Sequence, residues 1–229
     1  MHLDTQTDLG HIASRSVATA DGAISLHTPD PLRPLFVFGF LALHYKKLST
    51  TLNQVLESES DAFDRKIKKL KVTTAKDSAE SWALRHLYPT TIRYAVFIAI
   101  YSQFEFYLNE TCKELEPKHK IKLSDLKDRG LTRANTYLKK VAGIDAPFSQ
   151  QSWQKLTDIN CLRNWIVHAN GMIEADNDLG LIKRIGSWAP IEVQDSKAIL
   201  SKPFNKNVSD VLHNSAKELF DQLKSRGWT

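Results

Sequence analysis

The stretch from residue 149 to residue 171 constrains the fold most, because it has the pattern of a complete amphipathic helix. Ser149 is a favourable N-cap residue and Gly171 a favourable C-cap residue. At about 100° per residue, its large apolar side chains fall on one face. We therefore predict a helix that packs this face on a core. The apolar stripe consists of Leu156, Ile159, Leu162 and Ile166.

Three polar side chains gather near the end of this predicted helix. Asn164 and His168 lie four residues apart on the face opposite the apolar stripe, and Arg163 lies between the two faces. One interpretation is a helix end stabilised by cations near its C-terminus, an effect of about 0.3–1 kcal/mol. The other is a functional group of imidazole, amide and guanidinium. The same polar line contains Thr157, Asn160 and Cys161.

Two further long helices are predicted before this stretch. Residues 35–57 have helical periodicity, and we expect His44 there to be a hydrogen-bonded core histidine. A second helix runs over about 77–114 with a kink at Pro89, and its centre is apolar almost all round. That centre predicts the middle helix of a bundle.

Glu105 lies on one helical line with Tyr94, Ile98, Tyr101 and Leu108. A carboxylate in such an apolar stripe needs a partner. The partner would be either a cation at the helix surface or the other groups of an active site.

A basic segment, residues 60–71, extends the first long helix. It turns apolar side chains inward and basic ones outward. The basic face is either an ordinary solvated surface or a surface for phosphates. The outward residues are Arg65, Lys66, Lys68, Lys69 and Lys71.

The remaining segments are shorter. Residues 1–31 are expected to form a mobile arm or a small β-hairpin around Asp21-Gly22. A helical piece opens at Ser124, and another covers 132–141 and ends at Gly143. Residues 179–185, 191–193 and 198–200 predict a small β-meander, followed by a final helix over 207–225. The expected fold is one mainly α domain over 32–229, a helical bundle with a short β insertion near 179–201.

The composition fits a globular protein that acts in the cytoplasm. Of 229 residues, 42% are hydrophobic and 25% charged, and the net charge of +5 is compatible with nucleic acid. Cys112 and Cys161 lack zinc or redox spacing, so we expect two buried thiols. Residues 1–10 are polar and acidic, so we expect no signal peptide there, and the apolar runs fall short of the ~20 residues that cross a bilayer.

Arg163-Asn164-x-x-x-His168 resembles the motif of the HEPN superfamily, which is Arg, a polar residue, a few more residues and His. The context is similar as well: an aromatic helix containing Phe104-Glu105-Phe106 precedes the motif, and a short β segment and a final helix follow it. The resemblance extends over about 35–225. It implies a helical bundle that forms a homodimer through the motif helices, and a metal-independent endoribonuclease of toxin–antitoxin or anti-phage systems.

The resemblance also assigns roles. Arg163 and His168 take the catalytic positions, Asn164 the polar position, and Glu105 corresponds loosely to an upstream acidic residue of some members. Some members carry a tyrosine two positions after the His that accepts nucleotidyl groups, and Asn170 stands there in this chain. We assign Asn170, Lys66 and Lys69 to substrate binding. No metal or cofactor is expected; RNA is the expected substrate, and an antitoxin or defence protein a further partner.

These residue types suit metal-free RNA cleavage. Imidazole titrates near neutral pH and can accept or donate a proton, while a guanidinium neutralises the phosphate oxygens. Two alternatives stay open at this point. One is a non-catalytic dimeric sensor of RNA or nucleotides, and the other is an adaptor that binds an acidic partner through Lys66 and Lys69.

Overall fold

The computed structural model describes residues 33–173 and 176–227, with side chains for all of these except 33–44 and 176–178. The predictions for residues 1–31 and for the side chain of His44 therefore lie outside the described residues. The described helices are α1 (Arg33–Lys69), α2 (Ala75–Trp82), α3 (Tyr88–Leu115), α4 (Gly130–Lys140), α5 (Gln150–Ala169), α6 (Asp176–Gly186) and α7 (Phe204–Ser225), with strands β1 (Ile191–Gln194) and β2 (Lys197–Leu200).

The first two predicted helices are confirmed, with differences in their limits. The segments over 35–57 and 60–71 form one continuous helix, α1, which ends at Lys69. The predicted kink at Pro89 corresponds to a π-helical segment, Ala83–Leu87, between α2 and α3. Pro89 follows as the second residue of α3 and has no N–H to donate to the preceding helical turn.

Helix α3 is the centre of the bundle, as its apolar sequence predicts. It packs against α1, α4, α5 and α7. Phe97, Ile100 and Tyr101 are fully buried in its middle turns. Because α3 touches both the motif helix α5 and the preceding helices, it fixes where the motif lies in the domain.

The chain between α3 and α5 contains two 3₁₀ turns and one short helix, α4. A single 3₁₀ turn, Leu123–Asp125, replaces the helical piece predicted to open at Ser124. Helix α4 begins at Gly130, two residues earlier than predicted, and ends at Lys140. Gly143 follows it with a positive φ of 67°, as expected of a residue that closes a helix.

The predicted β-meander is wrong for residues 179–185, which belong to α6. Leu181, Ile182 and Ile185 are buried there, at the spacing of one helical face. The other two predicted strands are confirmed as the antiparallel hairpin of β1 and β2, with Ile191 opposite Leu200. The sheet thus has two strands, and it lies before the final helix as predicted.

Helix α7 completes the bundle by packing against α1, α3 and α5. Leu212, Leu219 and Leu223 of this helix are buried. Within the described part of the chain, no helix combines the length and apolar character that crossing a membrane would require.

Two glycines with positive φ allow a matched test of how α5 is ended. Gly143 (φ 67°) has nothing within 4 Å of the position of an added Cβ, whereas a Cβ on Gly171 (φ 75°) would collide with the Tyr94 hydroxyl. We expect Gly143→Ala to lower the free energy of unfolding by about 1–2 kcal/mol through backbone strain alone. Gly171→Ala should cost more. Urea denaturation measures both, and equal losses would contradict the close Tyr94 contact.

Candidate active site on the motif helix

The motif helix α5 is oriented by the apolar stripe that its sequence predicts. Leu156, Ile159 and Leu162 are fully buried and Ile166 nearly so. The Ser149 hydroxyl caps the first turn by accepting a hydrogen bond from the Ser152 N–H at 3.2 Å. With the apolar face fixed inside, the polar line lies at the border of the core: Asn160 and Asn164 are half-buried, whereas Cys161 and His168 are exposed.

The end of α5 is fastened to α3 and β2. Asn170 takes a left-handed conformation (φ 50°), and Gly171 follows with φ 75°. Two residues of positive φ therefore end the helix, where the sequence predicted the glycine alone. Asparagine is one of the few residues that tolerate this conformation. The Gly171 carbonyl accepts a hydrogen bond from the Ala198 N–H at 2.9 Å. The Tyr94 hydroxyl donates to the Ala198 carbonyl. The Asn170 side chain is exposed, and its substrate-binding role stays a prediction.

The Arg163 guanidinium is held on two sides. Its Nη1 donates to Asn164 Oδ1 at 2.9 Å. Its Cζ lies 6.0 Å from the centroid of the Tyr101 ring, within the range of a cation–π contact. Its Nε is buried and has no hydrogen-bond partner among the described residues. The side chain is therefore fixed and still has an unused donor.

Tyr101 connects this guanidinium to the rest of the site. Its hydroxyl donates to Asn160 Oδ1 at 2.7 Å, and the Glu105 carboxylate lies close enough to influence its titration. Burial first, and the negative charge of Glu105 second, raise the pKa of Tyr101 above its usual value. The hydroxyl thus keeps its proton at neutral pH and acts as a donor that positions its neighbours.

Glu105 is half-buried, and its carboxylate lies against the first residue of α4, Gly130. A Cβ on Gly130 would stand 2.7 Å from Glu105 Oε1, so the carboxylate occupies the space that a side chain would fill. The N-terminus of a helix carries partial positive charge and stabilises an anion there. The sequence analysis expected Glu105 to pair with a surface cation or to join the other groups of an active site. Among the described residues no cation pairs with it, and its link to the motif is indirect, through Tyr101.

His168 is exposed at the last turn of α5, one turn beyond Asn164. Among the described residues, its imidazole has no hydrogen-bond partner. The side chain of Val167 beside it is also 45% exposed. The end of the motif helix is thus open to a ligand or to another protein surface.

Lys66 and Lys69 are exposed on the last turns of α1, as predicted. They make no described contact with the motif. Helix α1 packs on α3, α7 and the π-helical segment, whereas α5 packs on α3, α6 and α7. The structure therefore groups Arg163, Asn164 and, through Tyr101, Glu105, and it does not join the two lysines to that group.

Tyr101, Asn160 and Gly130 are the site residues that sequence reasoning did not select. Two of them carried a signal, since Tyr101 lies on the helical line of Glu105 and Asn160 on that of Asn164. That the two lines face each other is a property of how α3 and α5 pack. Gly130 carried no such signal.

An ion pair between a buried carboxylate and an exposed guanidinium holds α6 against the motif helix. Asp158 is only 3% exposed, and its Oδ1 accepts hydrogen bonds from Arg184 Nε at 3.2 Å and Nη2 at 3.0 Å. Gln154 Nε2 donates to the same oxygen at 3.2 Å. A buried carboxylate needs such partners, so this group has a structural role.

Comparisons with protein families, curated proteins and solved structures find no match to this chain. Among the described side chains, no group of three or more His, Cys, Asp or Glu residues could bind a metal ion. Metal independence remains a prediction, to be tested with chelator.

The two cysteines differ, which corrects the expectation that both are buried. Cys112 is buried and Cys161, on the motif helix beside Asn160, is exposed. Burial raises the pKa of the Cys112 thiol to about 12, so at pH 8 it has almost no reactive thiolate.

We expect a thiol reagent at pH 8 to label one site in the folded protein and two in denaturant. Cys161→Ser should remove the fast-reacting thiol, and an unchanged fast phase would contradict this assignment.

Proposed function

We propose that this protein is a metal-independent endoribonuclease of HEPN type, acting in a toxin–antitoxin or anti-phage defence context. The resemblance of Arg163-Asn164-x-x-x-His168 to the HEPN motif supplies the hypothesis. One structural observation carries it further: a guanidinium fixed between the Tyr101 ring and Asn164 lies on the same helix end as an open imidazole. A positively charged anchor and a proton carrier are the two groups that metal-free phosphodiester cleavage needs.

The proposed reaction begins with attack of the RNA 2′-oxygen on the adjacent phosphorus. One imidazole takes the 2′-OH proton, and a protonated imidazole gives a proton to the departing 5′-oxygen. Arg163 stabilises the non-bridging oxygens as their charge grows. The P–O bond to the 5′-oxygen breaks, which leaves a 2′,3′-cyclic phosphate and a free 5′-hydroxyl.

One imidazole cannot act as base and acid in the same step, so the proposal needs two. A two-fold dimer through the motif helix would supply His168 and Arg163 from each chain to one cleft. The exposed apolar side chains of Val167 and Met172, on either side of His168, support such an interface. The same dimer without chemistry would be the non-catalytic sensor.

We expect purified protein to cleave total RNA in excess EDTA, and His168→Ala or Arg163→Ala to lower the rate at least 100-fold. The loss follows from removal of the proton carrier or of the charged anchor. Arg85→Ala, an exposed side chain of the π-helical segment, and His213→Ala, on α7 beside α1, serve as matched controls and should cleave at the wild-type rate. End analysis should find cyclic phosphates.

If folded wild-type protein binds RNA but leaves it intact, the endoribonuclease hypothesis is wrong and the non-catalytic sensor is favoured. Fragments that persist in both motif variants would point to a contaminating nuclease.

A site shared by two chains also predicts how activity depends on concentration. We expect the rate per chain to fall on dilution, at the concentration where sedimentation shows the dimer dissociating. Excess His168→Ala chain should inhibit the wild type by forming mixed dimers. A rate per chain that stays constant while the protein becomes monomeric would rule out the composite site.

A further inference from the structure

A groove beside the end of the motif helix has no part in the proposed chemistry. We call it the π-segment groove, because the π-helical segment forms one wall. The hairpin of β1 and β2 forms the other wall, and Met172, four residues beyond His168, also lines the groove. Its volume is about 170 Å³, enough for a small planar ring system. The lining residues are Trp82, His86, Leu87, Thr90, Met172, Gln194, Asp195, Lys197 and Ile199.

The first wall presents aromatic surface to solvent. Trp82 is 58% exposed, and its ring lies 5.9 Å from the His86 ring at an angle of 37°. A π-helical turn is rare and is frequently found at functional sites. A large exposed indole beside a groove is costly in water, and it offers a flat face on which another ring can stack.

The second wall presents polar groups of both signs. Lys197 is half-buried, with its Nζ 5.6 Å from the Tyr94 ring centroid. Asp195 lies in the turn with φ 49°, and Gln194 precedes it in β1. The groove therefore offers one cation, one anion and one amide within a short distance of the aromatic wall.

The aromatic wall and the balanced charges of the groove favour one class of ligand over others. A phosphate would need a surplus of positive charge, which the balanced Lys197 and Asp195 do not supply. An apolar side chain would bury both charges without partners, at considerable cost. A nucleobase has a flat face for Trp82 and an edge of donors and acceptors for the ammonium, carboxylate and amide.

We infer that the π-segment groove binds an unpaired base of an RNA strand, with Trp82 stacking on the base and Lys197, Asp195 and Gln194 contacting its edge. This inference rests on the proposed function, since it makes the bound base a neighbour of the phosphate cut at His168. A paired base cannot enter, because its edge is already hydrogen-bonded and its faces are stacked. The groove would thus restrict cleavage to single-stranded RNA and impose a base preference.

Binding should be measured in full-length His168→Ala protein, which leaves the RNA intact, with a fluorescent single-stranded 10-nucleotide RNA of mixed sequence. We expect Trp82→Ala to weaken binding at least fivefold, as loss of one base–aromatic stack does, and Trp82→Phe to retain most of it. Phe106→Ala is the matched control, because Phe106 is 51% exposed on α3 and does not line the groove. Circular dichroism should show all variants folded.

Three results would overturn the inference. The first is that Trp82→Ala in the His168→Ala background binds the RNA as tightly as that background alone, and the second is that duplex RNA binds as tightly as the single strand. The third is that mononucleotides compete fully with the oligonucleotide and bind with the same affinity. The last result would assign the groove to a free nucleotide instead of a strand.

The two proposals fail separately. If RNA binding depends on Trp82 but the wild type does not cleave RNA, the nuclease proposal is wrong and the base-binding groove is supported. If Trp82→Ala cleaves RNA with unchanged pattern and affinity, the groove proposal is wrong and the nuclease proposal is supported.

Discussion

The contact between α3 and α5 determines both the fold and the candidate site. The two helices run antiparallel, with Tyr101 against Asn160 and Arg163, and Tyr94 against Gly171 near the end of α5. In each case a tyrosine ring fills the core while its hydroxyl binds a polar group of the motif helix or the hairpin. Displacing α5 along α3 by one turn would leave these hydroxyls without partners in a buried place, which is costly. The motif is therefore held in one register.

The helical part of the fold could be predicted because its information is local. The stripe of Leu156, Ile159, Leu162 and Ile166 repeats with the helical period, and a helix satisfies its own backbone wherever it packs. The sequence predicts a strand over 179–185 because the helical period stops after Gly171 and the segment is short and ends at the Gly186-Ser187 turn. The burial of Leu181, Ile182 and Ile185 has the helical period, but seven residues hold too few repeats to decide between the two periods.

The candidate site was predictable only along the motif helix itself. Spacing alone places Asn164 and His168 on one line of α5 and predicts that Arg163 borders it. The hydrogen bond from Tyr101 to Asn160 joins residues 59 positions apart, and no periodicity within either helix reveals it. The exposure of Cys161 likewise depends on which neighbours cover that side of α5. Contacts between segments far apart in the chain depend on tertiary packing and cannot be predicted from the periodicity of a single sequence.

The position of the Glu105 carboxylate against Gly130 makes the start of α4 part of the support of the candidate site. The carboxylate lies between Gly130 and Tyr101, and the Tyr101 ring in turn lies against Arg163. A side chain at position 130 would meet the carboxylate and displace it. A single substitution at the start of α4 would therefore alter the orientation of the guanidinium without any change in the motif itself.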